Sequence, residues 1–222
     1  SNTILLDLTP SVDVLSYGLE SSGADVCGKV SNAYPYLSVD VFFKNTNKAL
    51  LINTKLSGTY NLENVLAACR VGMYFNIPPL AIKKAIENYK PSINRSQIYK
   101  SKHNTLILDA YNANPSSMEM ALDNIAAMES DIKILILGDM LELGAYSVEE
   151  HNKIYEKAKS IGAERTIFIG SEFCNILKNT NEECYFDVDE ACERLKDNDI
   201  HDALILFKGS RGVRLETLRE LF

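Results

Sequence analysis

The sequence lacks the long apolar runs that a membrane-spanning helix requires. No stretch reaches 18 consecutive apolar residues, and no basic segment followed by an apolar core opens the chain. We therefore expect no membrane insertion and no signal peptide. Basic residues are also few. The chain has 23 Lys and Arg and 30 Asp and Glu, which gives a formal net charge of −7 at pH 7. Nucleic-acid binding needs basic surface to neutralise phosphates, so we expect no nucleic-acid partner.

Cysteine is scarce and shows no pairing pattern. The five cysteines are odd in number and form no CxxC motif: Cys27, Cys69, Cys174, Cys184 and Cys192. We predict free thiols in a protein of the reducing cytoplasm, packed as small apolar side chains. The sequence offers no zinc-ligand spacing and no Ser-His-Asp order, so it predicts no metal site of its own.

Two phosphate-binding signatures are absent as well. Neither GxxxxGK[ST] nor GxGxxG occurs in the chain, and these are glycine-rich loops that cradle nucleotide phosphates. The chain therefore supplies neither of these phosphate cradles.

The first part of the chain favours strands followed by two helices. Strand-like patterns occur at residues 12–17, 37–43 and 49–52. Turns are predicted at Gly18, Gly23, Gly28 and the segment 45–47. Asn61 is the expected cap of the first helix, and Pro78 with Pro79 opens the second. We place a domain boundary at about residue 92, which gives domains 1–92 and 93–222.

The second part alternates strands with helices. Near-continuous apolar strands are predicted at residues 105–108, 132–137, 165–169 and 203–207. Helices follow at Pro115, at Ser147 (with Glu150 as a capping box), at residues 187–195 and at the carboxy terminus. Buried strands separated by helices indicate an α/β, Rossmann-like domain with a mostly parallel sheet covered on both faces.

Ligands of such sheets bind beyond the carboxyl ends of the strands, and polar segments fall there at 109–114, 138–139, 170–171 and 208–211. Asp109 can accept hydrogen bonds from two ribose hydroxyls, and Asn112 and Asn114 can both donate and accept. The alternative for the two asparagines is a turn and a cap for the helix that Pro115 opens.

Cations and one histidine complete the candidate site. Lys208, Ser210 and Arg211 precede a helix start, an arrangement that suits a carboxylate or a phosphate, although a solvated loop has the same composition. Arg95 lies beside the domain boundary, where it can reach a ligand of the other domain or remain a surface arginine. His151, inside a helix, either contacts a substrate or supports the structure.

Taken together, these segments resemble the Mur ligases. Residues 58–68 resemble the glycine, paired-asparagine and alanine helix that ends the central ATPase domain of that family. Residues 94–97 resemble the arginine motif that opens its carboxy-terminal domain. Residues 109–118, and 137–144 with His151 beyond them, match two further family segments. The Lys-Gly-Ser-Arg loop at 208–211, with Leu215 and Glu216, is similar to that of the members that add D-alanyl-D-alanine.

The resemblance implies an ATP-dependent acid–D-amino-acid ligase of peptidoglycan synthesis. In this reaction ATP and Mg²⁺ activate the carboxylate of UDP-N-acetylmuramoyl-tripeptide as an acyl phosphate, which D-alanyl-D-alanine then attacks. It implies that Asn64 contacts adenine, Asp109 the ribose, and Arg95, as the catalytic residue, the transferred phosphoryl group. It implies that Asn112, Asn114, Lys208 and Arg211 face the dipeptide, with Ser210 nearby. His151 is a further candidate for contact with a substrate.

In this family the phosphate loop and the magnesium ligands lie upstream of the matching segments. We therefore expect the chain to be the end of a central ATPase domain joined to a carboxy-terminal domain, monomeric, inactive alone and without tightly bound ATP or Mg²⁺. One alternative is a folylpolyglutamate-synthase-like or other amino-acid-adding ligase, which the 208–211 loop disfavours. Another is a non-catalytic binding module, and a GxxxxGK[ST] loop upstream in the full reading frame would exclude it.

Overall fold

The structure is a computed structural model that describes residues 14–20, 23–44, 49–91 and 95–222. The chain divides into two compact units, Ser1–Lys90 and Pro91–Phe222. Several predicted features lie outside the described residues: positions 12 and 13 of the first strand, the turn at 45–47, the boundary residue Ser92, and Asn94. No helix within the described ranges is long and apolar enough to cross a membrane.

The described part of the first unit is a sheet of four strands with two helices. The strands are β1 (Tyr17–Leu19), β2 (Val26–Asn32), β3 (Ser38–Phe43) and β4 (Leu50–Asn53), arranged in that order. The β1–β2 pair is parallel and the other two pairs are antiparallel. The helices are α1 (Asn61–Tyr74) and α2 (Pro79–Asn88). Alternate side chains of β3, such as Val39 and Val41, are buried with Leu66 of α1, so the period-2 pattern marks the core face.

Four local predictions in this unit are wrong. The first strand, expected at residues 12–17, begins only at Tyr17 and continues to Leu19. Gly18 and Gly28 lie within strands rather than turns. At Gly28, the missing side chain admits α1, because a Cβ there would stand 2.7 Å from Cδ2 of Leu66. Asn61 is the first residue of α1 and not its cap. Its buried side chain donates instead to the carbonyl of Ser57 at 2.8 Å.

The second unit is a six-stranded sheet of order β5-β6-β10-β7-β8-β9. Its strands are β5 (Gln97–Lys100), β6 (Thr105–Asp109), β7 (Ile132–Gly138), β8 (Arg165–Ile169), β9 (Glu183–Tyr185) and β10 (Ala203–Lys208). Only the β5–β6 pair within this sheet is antiparallel. Its helices are α3 (Pro115–Ala127), α4 (Ser147–Ile161), α5 (Ser171–Leu177) and α6 (Val188–Leu195). The predicted α/β class with a mostly parallel sheet is therefore confirmed.

Helices cover one face of this sheet, and helix α6 with the carboxy-terminal segment covers the other. The alternate side chains of β7 pack into these two cores. Leu135 and Leu137 pack into one core, which also contains residues of α3, α4 and α5. Ile134 and Ile136 point to the other core, with residues of α6 and of the carboxy-terminal segment. A strand buried on both faces needs apolar side chains at every position, which is why the sequence reads as a continuous run.

Several details of the second unit differ from the predictions. Strands β5 and β9 and helix α5 are too short for a clear periodic signal and were not predicted. The expected capping box of α4 is absent, because the helix begins at Ser147 and Tyr146 precedes it without a side-chain cap. The expected terminal helix consists of two 3₁₀ segments, Arg211–Val213 and Leu215–Leu221.

The prediction of five free thiols is wrong for two of them. Cys174 of α5 and Cys184 of β9 form a disulfide, with their Cα atoms 5.6 Å apart. This pair has no CxxC spacing, so only the packing of α5 beside β9 reveals it. Cys27, Cys69 and Cys192 are not disulfide-bonded, and burial raises the pKa of the Cys69 thiol to about 12.

Candidate functional site

The carboxyl ends of four neighbouring strands meet at one edge of the second unit. Lys208 at the end of β10 is in register with Asp109 of β6 on one side and with Leu137 of β7 on the other. The next residue, Gly209, lies so close to β7 that a Cβ on it would stand 2.8 Å from the Cα of Gly138. Two adjacent glycines therefore let the loops after β7 and β10 lie side by side.

Lys208 and Asp109 form a buried ion pair at this edge. The Lys208 Nζ lies 3.1 Å from Asp109 Oδ2, and their side chains are only 3% and 15% exposed. The same ammonium donates to the carbonyl of Asn112 at 2.7 Å. The other carboxylate oxygen, Oδ1, accepts the backbone N–H of Ser96 at 3.0 Å. The two residues expected to hold different substrates thus neutralise each other.

Asn112 and Asn114 both serve the backbone of the loop before α3. The Oδ1 of Asn112 accepts from the N–H of Ala113 at 2.9 Å. The side chain of Asn114 caps α3 by accepting from the N–H of Ser117 at 2.8 Å, and Ser117 returns the bond as a capping box. Both asparagines are exposed, and neither side-chain NH₂ group has a partner among the described residues. The two side-chain oxygens therefore stabilise the turn and cap α3, while the two NH₂ groups remain available to donate hydrogen bonds to a ligand.

Arg95 and Arg211 converge on Tyr111, a residue that the sequence reasoning missed. The guanidinium carbon of Arg95 lies 3.8 Å from the centre of the Tyr111 ring, and that of Arg211 lies 5.4 Å from it. Hydrogen bonding and charge from Arg95, with the charge of Arg211, lower the pKa of the Tyr111 phenol. The sequence signal was an aromatic residue between Asp109 and Asn112, inside the segment already singled out.

Ser210 links the loops after β7 and β10. Its N–H donates to the carbonyl of Asp139 at 3.0 Å, and its Oγ accepts from the N–H of Leu141 at 2.9 Å. The Ser210 hydroxyl is therefore hydrogen-bonded to the backbone of the loop after β7, and the residue is buried.

His151 lies beneath the same loop and is completely buried. Its Nε2 accepts from the N–H of Met140 at 3.0 Å. Its Nδ1 lies 2.8 Å from the carbonyl of Ser147, which can only accept, so Nδ1 carries the proton. Both ring nitrogens are thus satisfied inside the domain, and α4 supports the loop after β7 through this side chain.

Asp139 anchors that loop to α5. Its carboxylate accepts from the N–H groups of Glu172 and Phe173 at 2.9 and 3.0 Å. Burial raises the pKa of Asp139, and the hydrogen bonds from these two amides oppose the shift. Gly170, at φ +130°, is required here, because a Cβ on it would overlap the Asp139 carboxyl.

A substitution at Ser210 tests whether this residue holds the loops or contacts a substrate. Ser210→Ala leaves the Leu141 N–H without its acceptor, so we expect the free energy of unfolding to fall by about 1–3 kcal/mol. The matched control is Ser160→Ala on exposed α4 surface, where we expect a change within about 0.5 kcal/mol. Urea unfolding followed by circular dichroism measures both. Unchanged stability in Ser210→Ala would contradict the structural role.

Asn64 lies in α1 of the first unit. Its Nδ2 donates to Oδ1 of Asn61 at 3.0 Å. It lies at a cavity of about 410 Å³ whose other walls are largely apolar side chains of α1 and α2. An amide beside apolar walls is suited to the edge and faces of a planar base.

The described residues bring together no group of three or more His, Cys, Asp or Glu side chains that could hold a metal ion. Asp109, the carboxylate at the strand edge, already pairs with Lys208. The donor set at this edge therefore does not fit Mg²⁺.

Comparison with known proteins gives a family match and several relatives. The family described as "Mur ligase, glutamate ligase domain" matches residues 94–211. The UDP-N-acetylmuramoyl-tripeptide–D-alanyl-D-alanine ligase of Treponema pallidum (strain Nichols) is 33% identical over 177 residues, which cover 77% of this chain and 38% of that protein. The chain thus spans about two fifths of the length of this relative.

Solved structures share the fold. A crystal structure of MurF from Acinetobacter baumannii aligns with a TM-score of 0.79 at 23% identity, over 93% of this chain and 46% of that one. MurF ligase from Thermotoga maritima in complex with ADP aligns with a TM-score of 0.74 at 19% identity, over 93% and 47%. At these identities the likeness establishes the architecture.

Proposed function

The chain belongs to the Mur ligase family, and from this premise we propose that it is the carboxy-terminal part of an ATP-dependent ligase that joins D-alanyl-D-alanine to UDP-N-acetylmuramoyl-tripeptide. The observation that carries the proposal is the polar strand edge, where the Asp109–Lys208 pair lies beside the two arginines on Tyr111. The Treponema pallidum relative named for this reaction supports it. Residues 1–92 would end the central ATP-binding domain, and residues 93–222 would form the carboxy-terminal domain.

The proposed reaction builds negative charge on a transferred phosphoryl group. The tripeptide carboxylate attacks the terminal phosphoryl group of ATP, the bond to the bridging oxygen breaks, and ADP leaves. The amine of the dipeptide then attacks the carbonyl of the resulting acyl phosphate, which forms the amide and releases phosphate and a proton. Arg95, exposed at the strand edge, would stabilise the phosphoryl charge, the main source of catalysis in such transfers. Its position on Tyr111 supports this role because the ring holds the guanidinium in place.

The remaining roles follow from which side chains are free. Asn64, with its cavity, would receive the adenine. Asp109 would accept a ribose hydroxyl with the lone pairs that Lys208 and Ser96 leave unused. The outward NH₂ groups of Asn112 and Asn114 would contact the dipeptide. The predicted substrate contacts of the buried residues Lys208, Ser210 and His151 become, in our proposal, positioning roles that hold the loops of the site.

The proposal carries expectations about the wider setting. We propose a cytoplasmic reaction, because ATP and the UDP-linked precursor are its substrates. The cysteines no longer support this location, since two of them form a disulfide. Mg²⁺ would be held by ligands outside the described residues. We further propose a monomer without nucleic-acid or membrane partners.

We expect the 222-residue chain alone to release no phosphate from ATP, because it contains no phosphate loop. The full reading frame should contain GxxxxGK[ST] upstream of this chain. Its product should release phosphate only when UDP-N-acetylmuramoyl-tripeptide and D-alanyl-D-alanine are both present. A phosphate-release assay with each substrate omitted in turn makes the measurement.

Single amino acids provide the matched control for that assay. Turnover with glutamate or another single amino acid in place of the dipeptide would favour the other amino-acid-adding ligases. Turnover by the 222-residue chain itself, comparable to that of an intact ligase, would contradict the expected division of the site. A reading frame that begins near Ser1 would favour a binding module.

A further inference from the structure

Two cations at the strand edge lack carboxylate partners. Among the described residues, neither Arg95 nor Arg211 lies in an ion pair, whereas four other arginines pair with carboxylates: Arg70, Arg165, Arg214 and Arg219. Lys208, the third cation of the edge, is neutralised by Asp109. The local excess of charge therefore resides on the two arginines.

Tyr111 brings these two guanidinium groups together. Their carbons lie at most 9.2 Å apart, which is the sum of their distances to the ring centre, 3.8 and 5.4 Å. Like charges this close repel each other, and the negative face of an aromatic ring offsets only part of the repulsion. An anion between the two guanidinium groups would offset the rest.

We propose that Arg95 and Arg211 form one clamp for a doubly charged phosphoryl group, with Tyr111 as the positioning residue that supports both. This inference deepens the proposed function and rests on it for the role of the clamp in the reaction. It moves Arg211 from the dipeptide, its place by family resemblance, to the phosphoryl group.

The number and geometry of the donors favour a phosphoryl group over a carboxylate. One guanidinium satisfies a planar carboxylate through two parallel hydrogen bonds of about 2.7–2.9 Å. A tetrahedral phosphoryl group has three terminal oxygens, so a second guanidinium can bind it from another side. Two positive charges also match a dianion better than a carboxylate with a single charge.

The clamp is testable in the 222-residue chain by NMR, with inorganic phosphate as the probe at mildly alkaline pH. The Nε–H resonances of Arg95 and Arg211 should shift along one binding curve. Acetate at equal ionic strength should bind at least about tenfold more weakly. Arg95→Gln and Arg211→Gln should each weaken phosphate binding about ten- to a hundredfold, the effect of losing a charge-assisted hydrogen bond.

Tyr111 is tested by two variants that separate its ring from its hydroxyl. Tyr111→Phe keeps the ring but removes the hydroxyl that hydrogen-bonds Arg95, so it should weaken phosphate binding less than Tyr111→Leu does. Tyr111→Leu removes the ring and should weaken binding about tenfold, while its amide spectrum stays dispersed. Arg219→Gln is the control, because Arg219 lies over Tyr99 but already pairs with Glu220, and phosphate binding should not change.

Three results would overturn the clamp: a shift of one arginine only, two different binding curves, or acetate binding as tight as that of phosphate. The titration needs no turnover, so it can fail while the full-length protein still ligates, in which case the clamp alone is wrong. If the clamp binds phosphate and the full-length protein does not ligate, the proposed function alone is wrong.

Discussion

Replacing Arg95 with glutamine in the proposed full-length ligase is expected to lower kcat about 10²–10³-fold, with little change in the KM for D-alanyl-D-alanine. Arg95 is the exposed cation that Tyr111 holds at the strand edge. A preorganised donor aimed at developing charge typically contributes a factor of this size, because it acts in the transition state and requires little reorganisation. Glutamine keeps a polar side chain but removes the charge.

Steady-state kinetics with each substrate varied in turn measures this effect. The control is Arg214→Gln, an exposed arginine that pairs with Asp189, and its kcat should equal that of the parent. A raised KM for the dipeptide with unchanged kcat would place Arg95 at the dipeptide. Partial rescue of Arg95→Gln by added guanidinium would strengthen the assignment, because it restores the missing charge.

Replacing Lys208 with methionine in the 222-residue chain is expected to lower the free energy of unfolding of the second unit by about 3–5 kcal/mol. The substitution leaves the Asp109 carboxylate, 15% exposed, without the ammonium that neutralises it. It also removes the donor to the carbonyl of Asn112. An unpaired charge in a buried position costs more than the intact pair contributes.

The double variant Lys208→Met/Asp109→Asn tests the cause. No charge is then left unpaired, and the asparagine oxygen can still accept from Ser96, so much of the lost stability should return. Lys153→Met, which removes the ion pairs of an exposed lysine with Glu149 and Glu150, should have a far smaller effect. Hydrogen exchange at β6 and β10 localises the loss. A double variant less stable than Lys208→Met would show that the charge pair is not the cause.

The Asp109–Lys208 ion pair also couples the kinetic effects of substitutions at its two residues. The resemblance assigns Asp109 to the nucleotide and Lys208 to the dipeptide, yet the two side chains contact each other. A change at either one alters the other, so their kinetic effects are not independent. Stability and kinetics have to be measured on the same variants.

The sequence by itself determined the class of the second unit and the edge on which its candidate site lies. The strands β6, β7, β8 and β10 are buried on both faces, so their continuous apolar runs are local signals that need no tertiary information. Parallel strands place their carboxyl ends together, which is why the polar segments at 109–114 and 208–211 could be assigned to one edge. The proline that opens α3 is likewise a local signal.

Short elements, the role of Gly28 and the disulfide could not be predicted from local sequence in the same way. β9 has three residues and α5 has seven, which is too little chain for a period to emerge. Gly28 reads as a turn residue because its need for close approach arises from Leu66, 38 positions away in the chain. The bond between Cys174 and Cys184 depends in the same way on packing and not on spacing.

Only the tertiary structure decided which of the predicted site residues are free to bind a ligand. Lys208 and Arg211 look equivalent in sequence, but β6 places Asp109 against the first, while the second reaches Tyr111. His151 is buried under the loop after β7 for the same kind of reason. Residue type and local spacing specify what a side chain can do, but its free charge depends on groups that distant segments bring into contact.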